Sequence, residues 1–136
     1  MKITSPTTRI ILPAPKIFEL TSNLQNFHRY MSNQVKDISA TADSCSFTVE
    51  NIAQITLKIL EKTAFSQIRF AADNDKNIPL LLTLNMNAVS ENETDVIVDM
   101  DIEIPIFLKP LIQKPLERFV ETLLQKIKNE VEKSSL

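Results

Sequence analysis

The sequence predicts an α+β fold in which a seven-stranded antiparallel sheet packs on one long C-terminal helix, with two short helices after the first strand. Three observations carry this expectation. Residues 35–104 alternate apolar and polar side chains with period two, as strands do when one face is dry and the other wet. After Pro105 the apolar period changes to three and four, as in a helix with one buried stripe. Before residue 35, one strand pattern runs into two short helical ones. The 136 residues suit one domain spanning 1–136, because two cores of half that size would each be starved of apolar surface.

Residues 2–12 read as a strand that Pro6 interrupts, since proline donates no ladder hydrogen bond and is tolerated at bulges and edges. Pro13 and Pro15 open a helical pattern from Ala14 to Ser22, with Ile17, Phe18 and Leu20 on one face. After Asn23 a second short pattern carries Leu24, Phe27, Tyr30 and Met31. Turn clusters near positions 42, 51, 64, 75 and 92 then divide residues 35–104 into six strands, an antiparallel meander. Cys45, Phe47 and Val49 alternate with Ser44, Ser46, Thr48 and Glu50, and Ile55, Leu57 and Ile59 with Gln54, Thr56 and Lys58. The last strand is the clearest: Val96, Val98, Met100, Ile102 and Ile104 against Asp95, Asp99, Asp101 and Glu103.

The C-terminal stripe is Leu108, Leu111, Ile112, Leu116, Phe119, Val120, Leu123, Ile127 and Val131. Pro110 suits a helix start, whereas Pro115 falls inside the periodic run and is expected to remove one hydrogen bond and bend the helix. Residues 105–136 hold six Lys/Arg against four Asp/Glu and residues 1–104 nine against thirteen, an asymmetry that favours docking of helix on sheet only weakly.

Composition removes whole function classes. There is no glycine, so dinucleotide fingerprints, phosphate-cradling loops and nucleophile elbows are absent in their usual forms. Turns must rely on Asn and Asp, as in Asp73-Asn74-Asp75-Lys76-Asn77 and Glu91-Asn92-Glu93. A net charge of -2 gives no basic footprint, and nucleic acid is not an expected partner. No segment approaches the roughly 20 apolar residues of a span, so stable membrane insertion is not expected either. The lone Cys45 forms no internal disulfide and no signal-peptide pattern precedes Pro13, which points to the cytoplasm.

One strand, two short helices, six meandering strands and a long final helix are the element order of the helix-grip fold, and over nearly its whole length the chain resembles the START-like superfamily, also called SRPBCC. Within it the chain is similar to small bacterial SRPBCC-family proteins at Pro105-Ile106-Phe107, Gln113-Lys114-Pro115-Leu116, Val35-Lys36-Asp37 and the run from Gln54 to Ile59. The resemblance implies a curved sheet gripping the long helix with an apolar ligand space between them. Members bind lipids, sterols, quinones or aromatic polyketides, some catalyse cyclisation or dehydration, and others serve chaperones. Two departures stand out: the Gly-rich loop of the pollen-allergen branch is missing, and no inward acid-base set like that of polyketide cyclases is present.

Four constellations bear on chemistry. Asp95, Asp99, Asp101 and Glu103 place carboxylates along one strand face, where a calcium site competes with a merely solvated surface; no tight acidic loop favours the ion, and no metal is expected. His28 and Tyr30 are candidates for a polar pocket mouth. Cys45 alternates toward the core and reads as a small buried hydrophobe rather than a nucleophile, so no catalytic residue is assigned. The inward set is almost purely apolar: Leu57, Phe70, Leu82, Leu84, Met86, Val98, Met100 and Ile102, with Ile55, faced by Leu116, Phe119, Val120, Leu123 and Ile127. Met86 and Met100 suit a wall that yields to ligand shape.

The reading that follows is non-enzymatic binding of an apolar or amphipathic small molecule, lipid-like, quinone-like or aromatic, without a cofactor. Set against it are a fully packed core, a cyclase or dehydratase using His28, Tyr30, Thr83 or Arg9, and a protein-interaction module of the same fold, with oligomerisation left open.

Overall fold

The structure, a computed structural model, describes residues 1–31, 35–50 and 53–134, with the side chain of His28 outside the description. The chain forms β1 (Lys2–Thr4), β2 (Thr8–Ile10), α1 (Ala14–Thr21), a 3₁₀ turn (Leu24–Asn26) and α2 (Phe27–Met31). Six strands follow: β3 (Lys36–Ala40), β4 (Ser44–Val49), β5 (Ala53–Thr63), β6 (Gln67–Asn74), β7 (Leu80–Ser90) and β8 (Glu93–Ile102). A 3₁₀ turn (Ile106–Leu108) then leads into α3 (Lys109–Ser134). The sheet is antiparallel and curved, in the order β1, β8, β7, β6, β5, β4, β3, with β2 also on β8. Eight segments thus fill seven places, the helix-grip arrangement expected.

The break between β1 and β2 follows from Pro6. Ser5 N–H donates to Val98 O at 2.9 Å, and Ser5 Oγ accepts from Val98 N–H at 2.9 Å while donating to the Pro6 carbonyl at 3.1 Å. The hydroxyl takes over a ladder bond that the chain cannot make at the proline.

Turns without glycine put other residues at positive φ: Asp37 at 54°, Phe65 at 63° and Asn77 at 55°. Asp37 lies where β3 shifts register on β4, and Asn77 sits in the β6–β7 loop, both residue types that tolerate this region. Phe65, at the tip of the β5–β6 hairpin, is strained by about 1–2 kcal/mol. Its ring packs edge-on against Phe18 of α1 at 5.8 Å, which offsets part of that cost.

The core lies between the inner sheet face and the three helices. Phe27 of α2 is the centre of an aromatic group, 5.2 Å from Tyr30 and 5.5 Å from Phe70 of β6. α3 packs against β8, β1 and β2 and beside α2, burying Leu116, Val120, Leu123, Leu124, Ile127 and Val131. It runs through Pro115 without interruption. Pro115 is exposed, so the carbonyl that loses its helical donor faces the wet side.

Near its C-terminal end α3 is tied to the strand edge. Glu132 accepts from the Ile11 N–H at 2.9 Å and from Lys128 Nζ at 2.8 Å. Partial burial opposes its ionisation, but these two donors outweigh burial and hold its carboxyl below the ordinary value of 4.5. A lowered folded-state value means that the tie stabilises fully above the unfolded pKa and fades as pH falls through the folded one. Glu132→Gln, which keeps the shape and loses the charge, is expected to cost about 0.5–1 kcal/mol at neutral pH. In urea titrations its gap from the parent should narrow steadily below pH 4.5.

Candidate functional site

Two small apolar spaces open between the inner face and α3. One, of about 20 Å³, lies among Met31, Phe47, Leu57, Ala72, Leu82 and Leu123. The other, of about 50 Å³, lies toward the β6–β7 loop among Val49, Ala53, Ile78, Ile102 and Leu116. Ile55, Leu80, Met100 and Phe119 wall both. The spaces are therefore adjacent, with the Phe119 ring and the Met100 thioether at their boundary. Each could hold one water or a few, whereas a bound small molecule needs several hundred Å³. Larger concavities, about 770 and 500 Å³, are open grooves on the solvent side of the sheet and its loops, and enclose nothing.

The residues come together for local reasons. Period-two alternation turns Ile55, Leu57, Leu82 and Met100 to one face, and the registers Leu57↔Ala72 and Leu82↔Met100 set them side by side. A small residue in β6, Ala72, leaves room between larger neighbours. The spacing of Leu116, Phe119 and Leu123 lays all three along the same helical stripe. Asn74 is the one polar side chain on these walls among the described residues. Its amide donates to Ala72 O at 3.2 Å and Ile78 O at 2.7 Å, and its oxygen accepts from Lys76 N–H at 3.2 Å and Ile78 N–H at 3.0 Å. Its hydrogen-bonding capacity is spent on the loop, so among the described residues the walls offer no free polar side chain to a ligand.

Of the inward residues singled out from sequence, Leu57, Leu82, Met100, Ile102, Leu116, Phe119 and Leu123 border one space or both. Phe70, Leu84, Met86, Val98 and Val120 are buried but border neither. They belong to the close-packed half of the core. Ile78 and Leu80 also line these spaces but flank Pro79 outside any clean alternation, so period two does not mark them. Tyr30 is 2% exposed, beside α3, and borders neither space; burial raises its hydroxyl pKa far above the ordinary value. Its expected place at a polar mouth is not what the structure shows, because α2 turns this ring inward onto Phe27. The His28 side chain lies outside the described residues.

Among the described residues, the polar groups considered for chemistry do not converge. Arg9 is on the solvent side, held by Asp95 at 2.6 Å and Glu93 at 3.4 Å. Thr83 alternates with inward Leu82 and Leu84 and so faces the opposite side, in register with Asp99. Cys45 is fully buried, which pushes its thiol up to about 11 and keeps it protonated at neutral pH. Asp99 accepts from Thr4 Oγ1 at 2.7 Å and Asn85 Nδ2 at 2.9 Å, and Asn85 accepts from Gln67 at 2.8 Å. Of these acids, Asp99 thus forms cross-strand hydrogen bonds and Asp95 an ion pair. Among the described residues no three potential ligands gather as a metal group would.

A curved antiparallel sheet closed over a long C-terminal helix, with an apolar interior beneath it, is the helix-grip fold. A protein from Thermus thermophilus superposes over the full length of both chains with a TM-score of 0.81 at 20% identity. A START superfamily protein from Mycobacterium smegmatis aligns over 97% of both chains at 0.75 and 15% identity. The Aha1 dimer from Colwellia psychrerythraea aligns over 97% of this chain and 96% of its own at 0.66 and 15%. No family model and no curated protein matches the sequence, so the likeness is one of fold.

Proposed function

We propose that the protein binds an apolar or amphipathic small molecule between the sheet and α3, without catalysing its conversion. The observation that carries this reading is the pair of adjoining apolar spaces under α3, divided by two side chains able to move. Phe119 is only partly buried, and Met100 has an unbranched, compliant side chain. Swinging Phe119 outward joins the spaces, and the ligand takes the place of the ring. Affinity then comes from burial of apolar surface, while the scarcity of free polar side chains makes recognition one of size and shape. Helix-grip relatives by fold include a START superfamily protein, which agrees with a ligand-binding use of this interior.

The test is a titration with a fluorescent apolar probe, paired with mass spectrometry of organic extracts from the purified protein. Phe119→Ala enlarges the space and should tighten probe binding about tenfold, as one aromatic ring no longer has to be displaced. Phe119→Trp should weaken it. Equal affinity in all three folded proteins would place the probe elsewhere.

A further inference from the structure

We infer, building on the binding mode proposed above, that the interior takes one unbranched alkyl chain of medium length, tail first, and that Ala72 limits how deep the tail reaches. The two spaces under α3 differ in exposure. Met31, Phe47, Leu57, Ala72, Leu82 and Leu123, which border only the smaller one, are all buried. Of the residues that border only the larger one, Val49, Ala53, Asn74 and Ile78 are half-buried. They stand at the end of β4, the start of β5 and around the β6–β7 loop. The larger space is therefore the mouth and the smaller one the closed end.

The room available selects a slender ligand. The spaces measure about 20 and 50 Å³ and meet at the Phe119 ring. Turned outward, that ring vacates the room of one benzene, a molecule that a dry apolar cavity of about 150 Å³ accommodates. With a small space at either end, the vacated room is elongated and about one ring across, enough for a chain of roughly eight to ten carbons. A fused-ring skeleton or a two-chain lipid is too wide for it. Among the described residues no charged side chain borders either space, so the polar head of the ligand stays at the mouth, in water. At the closed end Ala72 is the smallest side chain, set beside Leu57 by the β5–β6 register. Each carbon added at Ala72 takes room from the tail, and each carbon removed at Leu57 returns some.

Isothermal titration calorimetry of the full chain with straight-chain alcohols from butanol to dodecanol reads the length directly. Affinity should rise about fourfold per methylene until the tail meets the closed end, and then level off. Ala72→Val adds two carbons and should bring the plateau about two methylenes earlier, whereas Leu57→Val removes one and should delay it by about one. Thermal melts identify the folded variants, and a shift in either one alone is sufficient because the two are of opposite sign. Adamantanol, a cage with as many carbons as decanol, should bind at least about tenfold more weakly than decanol. Adamantanol binding as tightly as decanol, affinity still climbing at dodecanol, or a plateau that moves in no folded variant would overturn the single-chain site and leave apolar binding in place. Absence of binding by every alcohol would overturn both.

Discussion

Leu84→Lys is expected to leave the protein unfolded at room temperature. Leu84 is 2% exposed in the middle of β7, with Ile68 and Val98 as its cross-strand partners. Its side chain is buried in a part of the core that neither apolar space reaches. The variant loses about 2–3 kcal/mol of apolar burial and must also desolvate a charge or force the strand outward. The sum, at least about 5 kcal/mol, matches the whole stability of many domains. Collapse of amide dispersion in a ¹⁵N correlation spectrum reads it directly. Leu84→Met, a nearly volume-conserving change, should keep the native spectrum at a cost below about 1.5 kcal/mol. A dispersed spectrum for the lysine variant would mean that this part of the core is open.

Asn74→Ala should be the most damaging change at any residue outside the apolar core. One carboxamide makes four hydrogen bonds to backbone groups of Ala72, Lys76 and Ile78, and so organises the whole glycine-free β6–β7 loop. These backbone groups are partly exposed, and water recovers some of the loss. The net cost should be about 2–3 kcal/mol, a fall of roughly 6–12 °C in the thermal midpoint. Because Ile78 and Leu80 wall the larger space, probe affinity should drop along with stability. A midpoint within 2 °C of the parent would show that Asn77 and Pro79 alone hold the loop.

What the sequence revealed of the fold depended on how far local chemistry decides structure. β4, β6 and β8 alternate cleanly because one face of each is buried along its length, so period two was plain. The bulge that leaves Leu60 exposed was not legible, since an extra residue in β5 leaves the alternation intact up to Ile59. Phe65 at positive φ was hidden for a different reason: without glycine, no residue type marks the left-handed position in that turn. Helical periodicity placed Leu111 in the buried stripe, yet it is 70% exposed. Full burial on α3 starts at Leu116; before it Ile112 packs only partly on the core and Leu111 faces outward. Of the site, the apolar walls could be read from alternation, but which of them border open space could not. That depends on ångström-scale gaps such as the one beside Ala72, which no pattern encodes.

The most direct test of ligand binding between sheet and helix is methyl NMR of the protein titrated with a nitroxide-labelled fatty acid, whose unpaired electron broadens nearby signals. Saturable broadening at one equivalent should strike the methyls of Ile55, Leu80 and Met100 first, since these three border both spaces. Broadening confined to surface methyls such as Ile106 and Leu111, or none at saturating probe, would contradict it.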